Sequence, residues 1–205
     1  MFTAVLWDLG GVILSSPFDA FARYERTHRL PSGFLRSVNA IDADRNAWAR
    51  LERSELTADD FDDAFAAETR ALGHEVAGRD VLTLLAGHLR PAMVRALDII
   101  KAAGYAQACL TNNVADAAVG PAAIPDVMTR FDVVVESAKV GVRKPEPRFY
   151  EIACGLLGVE PPACVYLDDL GVNLKPARAM GMTTIKVDDP KPALAELGAL
   201  LELDL

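Results

Sequence analysis

Asp8 closes an apolar run, Phe2 to Trp7, and Asp168 and Asp169 close another, Cys164 to Leu167. A strand buried on both faces reads as continuous apolar residues, and in open α/β sheets ligands gather beyond the carboxyl ends of the strands. Two strands that deliver carboxylates at their C-terminal ends therefore point to one metal site. Four such runs occur, FTAVLW, AQACL, DVVV and CVYL, each followed at once by polar residues: Asp8, then Thr111, Asn112 and Asn113, then Glu136 and Ser137, then Asp168 and Asp169. The chemistry is expected along that edge.

The elements that must hold these residues follow from periodicity. From about Ser15 to His88 the apolar residues recur at helical spacing, as in Phe18, Phe21, Ala22 and Tyr24, then Trp48 and Leu51, then Phe61 and Phe65. Thr57 followed by Asp59 and Asp60 reads as a helix N-cap with acidic first-turn residues, and Pro31-Ser32-Gly33 as a break between helices. After Arg90 the pattern alternates. The helix Ala92 to Ala103 stops at Gly104 before a strand at Ala106 to Leu110, and a Pro-bearing connection near Pro121 to Pro125 leads to the strand Asp132 to Val135. Pro147 opens the helix Arg148 to Leu157, the strand to Leu167 follows, Lys175 to Met180 is a short helix, and Thr183 to Val187 is the last strand before a terminal helix. Parallel crossovers make a doubly wound α/β core, Rossmann-like, the expected fold, with the helical part inserted after the first strand. The expected division is a core of residues 1–14 and 90–205 and a helical cap of residues 15–89.

A chain of 205 residues, half of them apolar, is long enough to bury a core and to be an enzyme by itself. The net charge of −8 and a pI near 4.9 argue against a nucleic-acid or anionic-membrane surface, which demands clustered Lys and Arg. An anionic substrate then needs a locally positive pocket. No apolar stretch approaches the roughly 18 residues of a membrane span, and the N-terminal run reaches Asp8 too early for a signal peptide, so a cytoplasmic location is expected. Cys109, Cys154 and Cys164 are odd in number, lack metal-ligand spacing and sit in apolar contexts, which reads as buried reduced thiols. His28, His74 and His88 are scattered without the spacing of a metal site or a histidine base.

Four segments in order, WDLGGVI at Asp8, CLTNN at Thr111, VRKPEPRFY at Lys144 and VYLDDLGVNLKPARAMGM from Asp168 onward, resemble the haloacid dehalogenase superfamily. With LERSELT in the helical part, the last two segments look most like the N-terminal phosphatase domain of soluble epoxide hydrolases and related small phosphatases. The resemblance implies a helical cap over a Rossmann-like core and phosphoryl transfer from a small phosphorylated metabolite through an aspartyl-phosphate. Asp8 would attack phosphorus, since a carboxylate needs no deprotonation at neutral pH. Asp169, the Gly10 carbonyl and the other Asp8 oxygen would hold Mg²⁺, with Asp168 reaching the ion through water or orienting its neighbour. Lys144, the Thr111 hydroxyl and the Asn112 backbone N–H would bind the phosphoryl oxygens. Asn173 would brace the acidic loop or Lys144, or contact substrate, or serve as a plain helix N-cap; Arg143 would meet either substrate or solvent.

One residue departs from the family pattern. Most phosphatases of the superfamily carry a second Asp two residues after the nucleophile as general acid and base, and here that residue is Gly10. Such help is typically worth about 10² to 10⁴ in rate, so the expected preference is for activated phosphates, such as aryl, acyl or anomeric sugar phosphates. Two other readings share the motifs. A 2-haloacid dehalogenase uses the same aspartate on carbon without a metal, but Asp168-Asp169 without a cation would repel a carboxylate substrate. A non-catalytic phosphate- or protein-binding module has no need of a nucleophile facing a metal.

Overall fold

The computed structural model describes residues 1–114 and 124–205. β1 (Ala4–Trp7), β2 (Ala106–Thr111), β3 (Val133–Glu136), β4 (Cys164–Asp168) and β5 (Thr183–Lys186) form one five-stranded sheet in the order β3-β2-β1-β4-β5, parallel at every pairing. Helices α1 (Phe18–Thr27), α2 (Phe34–Ala40), α3 (Ala47–Glu52), α4 (Ala58–Ala71) and α5 (Gly78–Thr83) lie between β1 and β2 in the chain. α6 (Pro91–Ala102) leads into β2, α7 (Ile124–Met128) precedes β3, and α8 (Ser137–Val140) and α9 (Pro147–Leu157) link β3 to β4. α10 (Gly171–Ala179) links β4 to β5, and α11 (Pro190–Leu201) follows.

The apolar runs are continuous because alternate residues serve opposite layers. Val5 and Trp7 of β1, with Val165 and Leu167 of β4, pack on Met93, Leu97 and Ile100 of α6 and Leu194 and Leu197 of α11. Ala4 and Leu6, with Tyr166, pack on Phe149, Tyr150 and Ala153 of α9 and Leu174 and Ala177 of α10. Neither face meets water, so neither tolerates a polar alternation. From β1 the sheet grows one way through β2 and β3, then the chain crosses back to place β4 on the other side of β1. That reversal opens a crevice beyond the carboxyl ends of β1 and β4, where α/β sheets bind ligands.

The helices α1 to α5 bury an apolar cluster of their own, including Phe21, Leu35, Val38, Leu51, Phe61, Phe65 and Val81. The chain enters and leaves this insert side by side: Leu14 and Leu89 form an antiparallel bridge, flanked by Ser15 N–H to His88 C=O at 2.8 Å and Arg90 N–H to Ile13 C=O at 2.9 Å. Thr57 caps α4 as expected, in a reciprocal capping box with Asp60. The break at Pro31-Ser32-Gly33 separates α1 from α2, and the buried Glu25 carboxylate takes the N–H groups of Gly33 and Leu35 at 2.8 and 2.9 Å.

One helix differs from its expected span. α10 starts at Gly171 rather than Lys175 and carries Pro176 inside it. Glycine and β-branched valine at its start are weak helix formers, so local pattern hides a turn that tertiary packing stabilises. Of the expected connection near Pro121 to Pro125, residues 121–123 lie outside the described residues, and Ile124 and Pro125 begin α7. Among those described, no helix is long and apolar enough to cross a membrane.

Candidate active site

Asp8 follows β1 directly, and its N–H donates to the Leu167 carbonyl at 2.9 Å, so β4 fixes where the carboxylate begins. Its Oδ1 accepts the Leu9 N–H at 2.6 Å. The loop then turns through Gly10 (φ −72°, ψ 130°) and Gly11 (φ 79°) and closes with Leu14 N–H to Leu9 C=O at 2.8 Å. Gly11 is there for two reasons. Its φ is in the left-handed region, and a Cβ on it would collide with the Asp169 carboxylate. Gly10 is under neither constraint: its dihedrals suit any residue, and a Cβ would meet nothing within 4 Å.

Asp8, Asp168 and Asp169 come together at the crevice, each offering an oxygen within 4.8 Å of the others. Their roles differ in the bonds they make. Asp168 is wholly buried and its oxygens are taken: Oδ1 by Leu170 N–H at 2.8 Å, Oδ2 by Lys144 Nζ at 3.0 Å and the Tyr166 hydroxyl, and both by Asn173 Nδ2 at 3.1 Å. No side chain among the described residues hydrogen-bonds Asp169, which is half-buried.

Lys144, 1% exposed, lies in the loop between α8 and α9 with its Nζ between two carboxylates, 2.7 Å from Asp8 Oδ1 and 3.0 Å from Asp168 Oδ2. Two of its three ammonium protons are thereby committed and one is left to give. Burial alone would depress its pKa, but the charges of Asp168 and Asp8 hold it above the usual lysine range. Burial raises the Asp8 carboxyl well above its usual range, with Lys144 opposing and Asp168 and Asp169 adding to the rise. Burial and the neighbouring Asp168 push Asp169 up to about 6. Three carboxylates stand against one ammonium in contact with them, with the Arg90 guanidinium, which donates to the Gly11 carbonyl at 2.8 Å, acting on Asp169 from further off, so the ionised cluster carries a surplus of negative charge. An all-oxygen donor set with that surplus fits a hard divalent cation, with Asp8 Oδ2 and the Asp169 carboxylate free of side-chain partners among the described residues.

The phosphate-binding candidates of the second and third motifs join the same edge. Thr111 ends β2 and is buried. The Asn112 side chain clamps both main-chain polar groups of Lys144, accepting its N–H at 2.9 Å and donating to its C=O at 3.0 Å. Asn173 belongs with the bracing alternative. The N-cap of α10 is Leu170, and Asn173 sits inside the first turn with its amide spent on Asp168, which also takes Lys144 Nζ.

A family model for haloacid dehalogenase-like hydrolases matches residues 2–181. The chain belongs to the haloacid dehalogenase-like hydrolases. It is 35% identical over 213 residues to acyl-CoA dehydrogenase family member 10 of Mus musculus, covering all of this chain and 20% of that protein. It is 31% identical over 209 residues to bifunctional epoxide hydrolase 2 of Sus scrofa, covering 95% of this chain and 38% of that one. The chain thus spans well under half the length of these relatives. Among solved structures, a haloacid dehalogenase family enzyme of Bacteroides thetaiotaomicron, in complex with magnesium and inorganic phosphate, superposes with a TM-score of 0.63 at 18% identity over 94% of this chain and 98% of the other. L-2-haloacid dehalogenase of Xanthobacter autotrophicus, with chloropropionic acid covalently bound, does so with 0.62 at 19% identity over 100% and 85%.

Two residues of this haloacid dehalogenase-like hydrolase escaped the sequence reading. Tyr166 lies two residues before Asp168 on β4, on the same face, and its hydroxyl donates to Asp168 Oδ2. Strand period alone marked it, but inside an apolar run a tyrosine reads as core. Glu52, at the end of α3, is buried and bonds to Asn112 and Arg143 across the sequence. Only the fold brings it there. Arg143 is therefore committed to Glu52 at 2.5 Å and to the Ala43 carbonyl at 3.1 Å rather than to solvent. Trp48 packs edge-on against Phe61, and the three cysteines are buried and unpaired.

Proposed function

We propose that this hydrolase is a Mg²⁺-dependent phosphatase that cleaves a small-molecule phosphate monoester through an aspartyl-phosphate on Asp8, beneath a cap formed by α1 to α5. The observation that carries the reading is the charge count around Asp8: a nucleophilic carboxylate, two further carboxylates and a single buried ammonium. The magnesium and phosphate complex of the Bacteroides enzyme supports it. So does the likeness to bifunctional epoxide hydrolase 2.

The Asp8 and Asp169 carboxylates and the Gly10 carbonyl would hold Mg²⁺, which would supply the positive charge that lets an anionic nucleophile meet an anionic phosphate. Asp8 attacks phosphorus, a carboxylate-oxygen-to-phosphorus bond forms, and the bond from phosphorus to the leaving oxygen breaks. Lys144 stays protonated and donates its remaining N–H as a hydrogen bond to a phosphoryl oxygen, joined by the Thr111 hydroxyl and the Asn112 backbone N–H. The leaving oxygen takes its proton from water, since Gly10 has no side chain to supply one. Water then attacks the same phosphorus, releasing inorganic phosphate and restoring the Asp8 carboxylate. Asp168 never meets the substrate. With Tyr166 and Asn173 it fixes the far side of the Lys144 ammonium.

The covalent chloropropionate complex of the Xanthobacter enzyme favours a second reading, displacement of halide from a 2-haloacid on the same fold. The two are separated by incubating the protein with p-nitrophenyl phosphate and with 2-chloropropionate, each with Mg²⁺ and with EDTA. Phosphate release that needs Mg²⁺, without chloride release, supports the phosphatase; chloride release indifferent to EDTA overturns it.

A further inference from the structure

Glu52 is a buried carboxylate that the proposed chemistry does not use. It ends α3, within LERSELT, and is 6% exposed. Its Oε1 accepts the Trp48 indole N–H at 2.8 Å, inside the insert. Its Oε2 reaches out of the insert to the core, to Arg143 Nε at 2.5 Å and Asn112 Nδ2 at 3.1 Å. A buried carboxylate held this way is expensive to leave unpaired, so its partners are strongly specified.

Both core partners converge on one residue. Asn112 spends its other Nδ2 proton on the Lys144 carbonyl and its Oδ1 on the Lys144 N–H, at 3.0 and 2.9 Å. Arg143 is joined to Lys144 by the peptide bond. Lys144 in turn holds Asp8 and Asp168. The Asn112 amide thus has every strong donor and its acceptor engaged, and one of those engagements comes from the insert.

We infer that Glu52 is a positioning residue: it registers the cap against the core and, through Asn112 and Arg143, fixes the backbone that carries Lys144. Seating of the cap and placement of the lysine are then one event. The inference rests on the phosphatase reading for its effect on turnover but not for its effect on structure. A second contact between insert and core supplies the control. Ser54 Oγ donates to the Ala138 carbonyl at 3.0 Å without touching Asn112, Arg143 or Lys144. Its φ of 58° makes glycine an unstrained replacement.

The test compares wild type, Glu52→Gln, Glu52→Ala and Ser54→Gly in p-nitrophenyl phosphate kinetics with Mg²⁺ and in amide hydrogen exchange. Glu52→Ala is expected to lower kcat by about 10- to 100-fold with KM within about threefold, the signature of a lost transition-state interaction. Glu52→Gln keeps an acceptor for Arg143 and Asn112 and is expected to recover part of that loss. Exchange in residues 141–146 is expected to quicken in Glu52→Ala and not in Ser54→Gly, whose kcat stays at the wild-type value. An equal fall in kcat for Ser54→Gly, or unchanged exchange in residues 141–146 of a folded Glu52→Ala protein, overturns the inference. A wild type without turnover defeats the phosphatase reading instead, and the exchange comparison still decides the role of Glu52.

Discussion

The Lys144 ammonium stands 2.7 Å from Asp8 Oδ1, buried, and is the one cationic side chain in contact with either Asp8 or Asp168 among the described residues. Replacing it by Met leaves three carboxylates facing one another. Breaking a buried pair of this kind typically costs about 3 to 5 kcal/mol, and losing one donor to the reacting group about 10²- to 10³-fold in kcat. Lys144→Met is expected to lose at least that much turnover and to be destabilised in EDTA, with Mg²⁺ recovering part of the stability. Chemical denaturation with and without Mg²⁺ checks it; a variant as stable as wild type in EDTA would contradict the charge argument.

Tyr166 gives a milder test of the same network. Its hydroxyl donates to Asp168, and burial, with Asp168 and Asp8 adding, raises its pKa, so it stays a donor across the accessible pH range. Tyr166→Phe removes one charge-assisted bond worth about 1.5 to 3 kcal/mol and leaves Lys144, Asn173 and Leu170 on the carboxylate. Stability is expected to fall by that amount while kcat falls by less than about tenfold, since Lys144 stays paired. Loss of all turnover in folded protein would place Tyr166 in the chemistry itself.

The two glycines that follow Asp8, Gly10 and Gly11, are expected to behave oppositely. A methyl group on Gly11 collides with the Asp169 carboxylate at a left-handed φ, so Gly11→Ala is expected to displace Asp169 and abolish Mg²⁺-dependent turnover. Gly10→Asp has open space and ordinary dihedrals. It is expected to fold and to gain on alkyl phosphates, by up to about 10² in kcat/KM, while wild type favours aryl over alkyl esters. Equal wild-type rates on the two classes, or no gain in folded Gly10→Asp, would show that another group already protonates the leaving oxygen.

The proposed metal site ties Mg²⁺ binding to pH through Asp169. Its carboxyl is pushed up to about 6 in the folded protein by burial and Asp168, against about 3.9 in an unfolded chain. The folded state binds this proton more tightly, so its contribution to stability is present below the unfolded value and is lost as pH rises through 6. A cation bound by the ionised group reverses the loss. The rise in melting temperature on adding Mg²⁺ is therefore expected to be small at pH 5 and to grow to pH 7.5; a rise independent of pH would detach Asp169 from the metal.

Much of this was legible in the sequence for a physical reason: strands buried on both faces announce themselves, and so do the polar residues that end them. Asp8, Thr111, Asp168 and Asp169 all fall at those junctions. The alternation after Arg90 likewise gave α6, β2 and α9 within a residue or two. What stayed hidden depends on distance along the chain. Glu52 meets Arg143 across 91 residues, and nothing local distinguishes it from the solvated glutamate of an exposed helix end. Asn173 left alternatives open because an asparagine near a helix start suits a cap, and only the early start of α10 turns its amide toward Asp168. Gly10 and Gly11 are adjacent and chemically identical, yet only the backbone geometry shows that one is required and the other is open space.

The most direct measurement is hydrolysis of p-nitrophenyl phosphate by wild type with Mg²⁺, by wild type with EDTA, and by Asp8→Asn with Mg²⁺, each confirmed folded by circular dichroism. Turnover in the first alone is expected. Turnover by folded Asp8→Asn, or undiminished turnover in EDTA, would contradict a metal-assisted aspartate nucleophile.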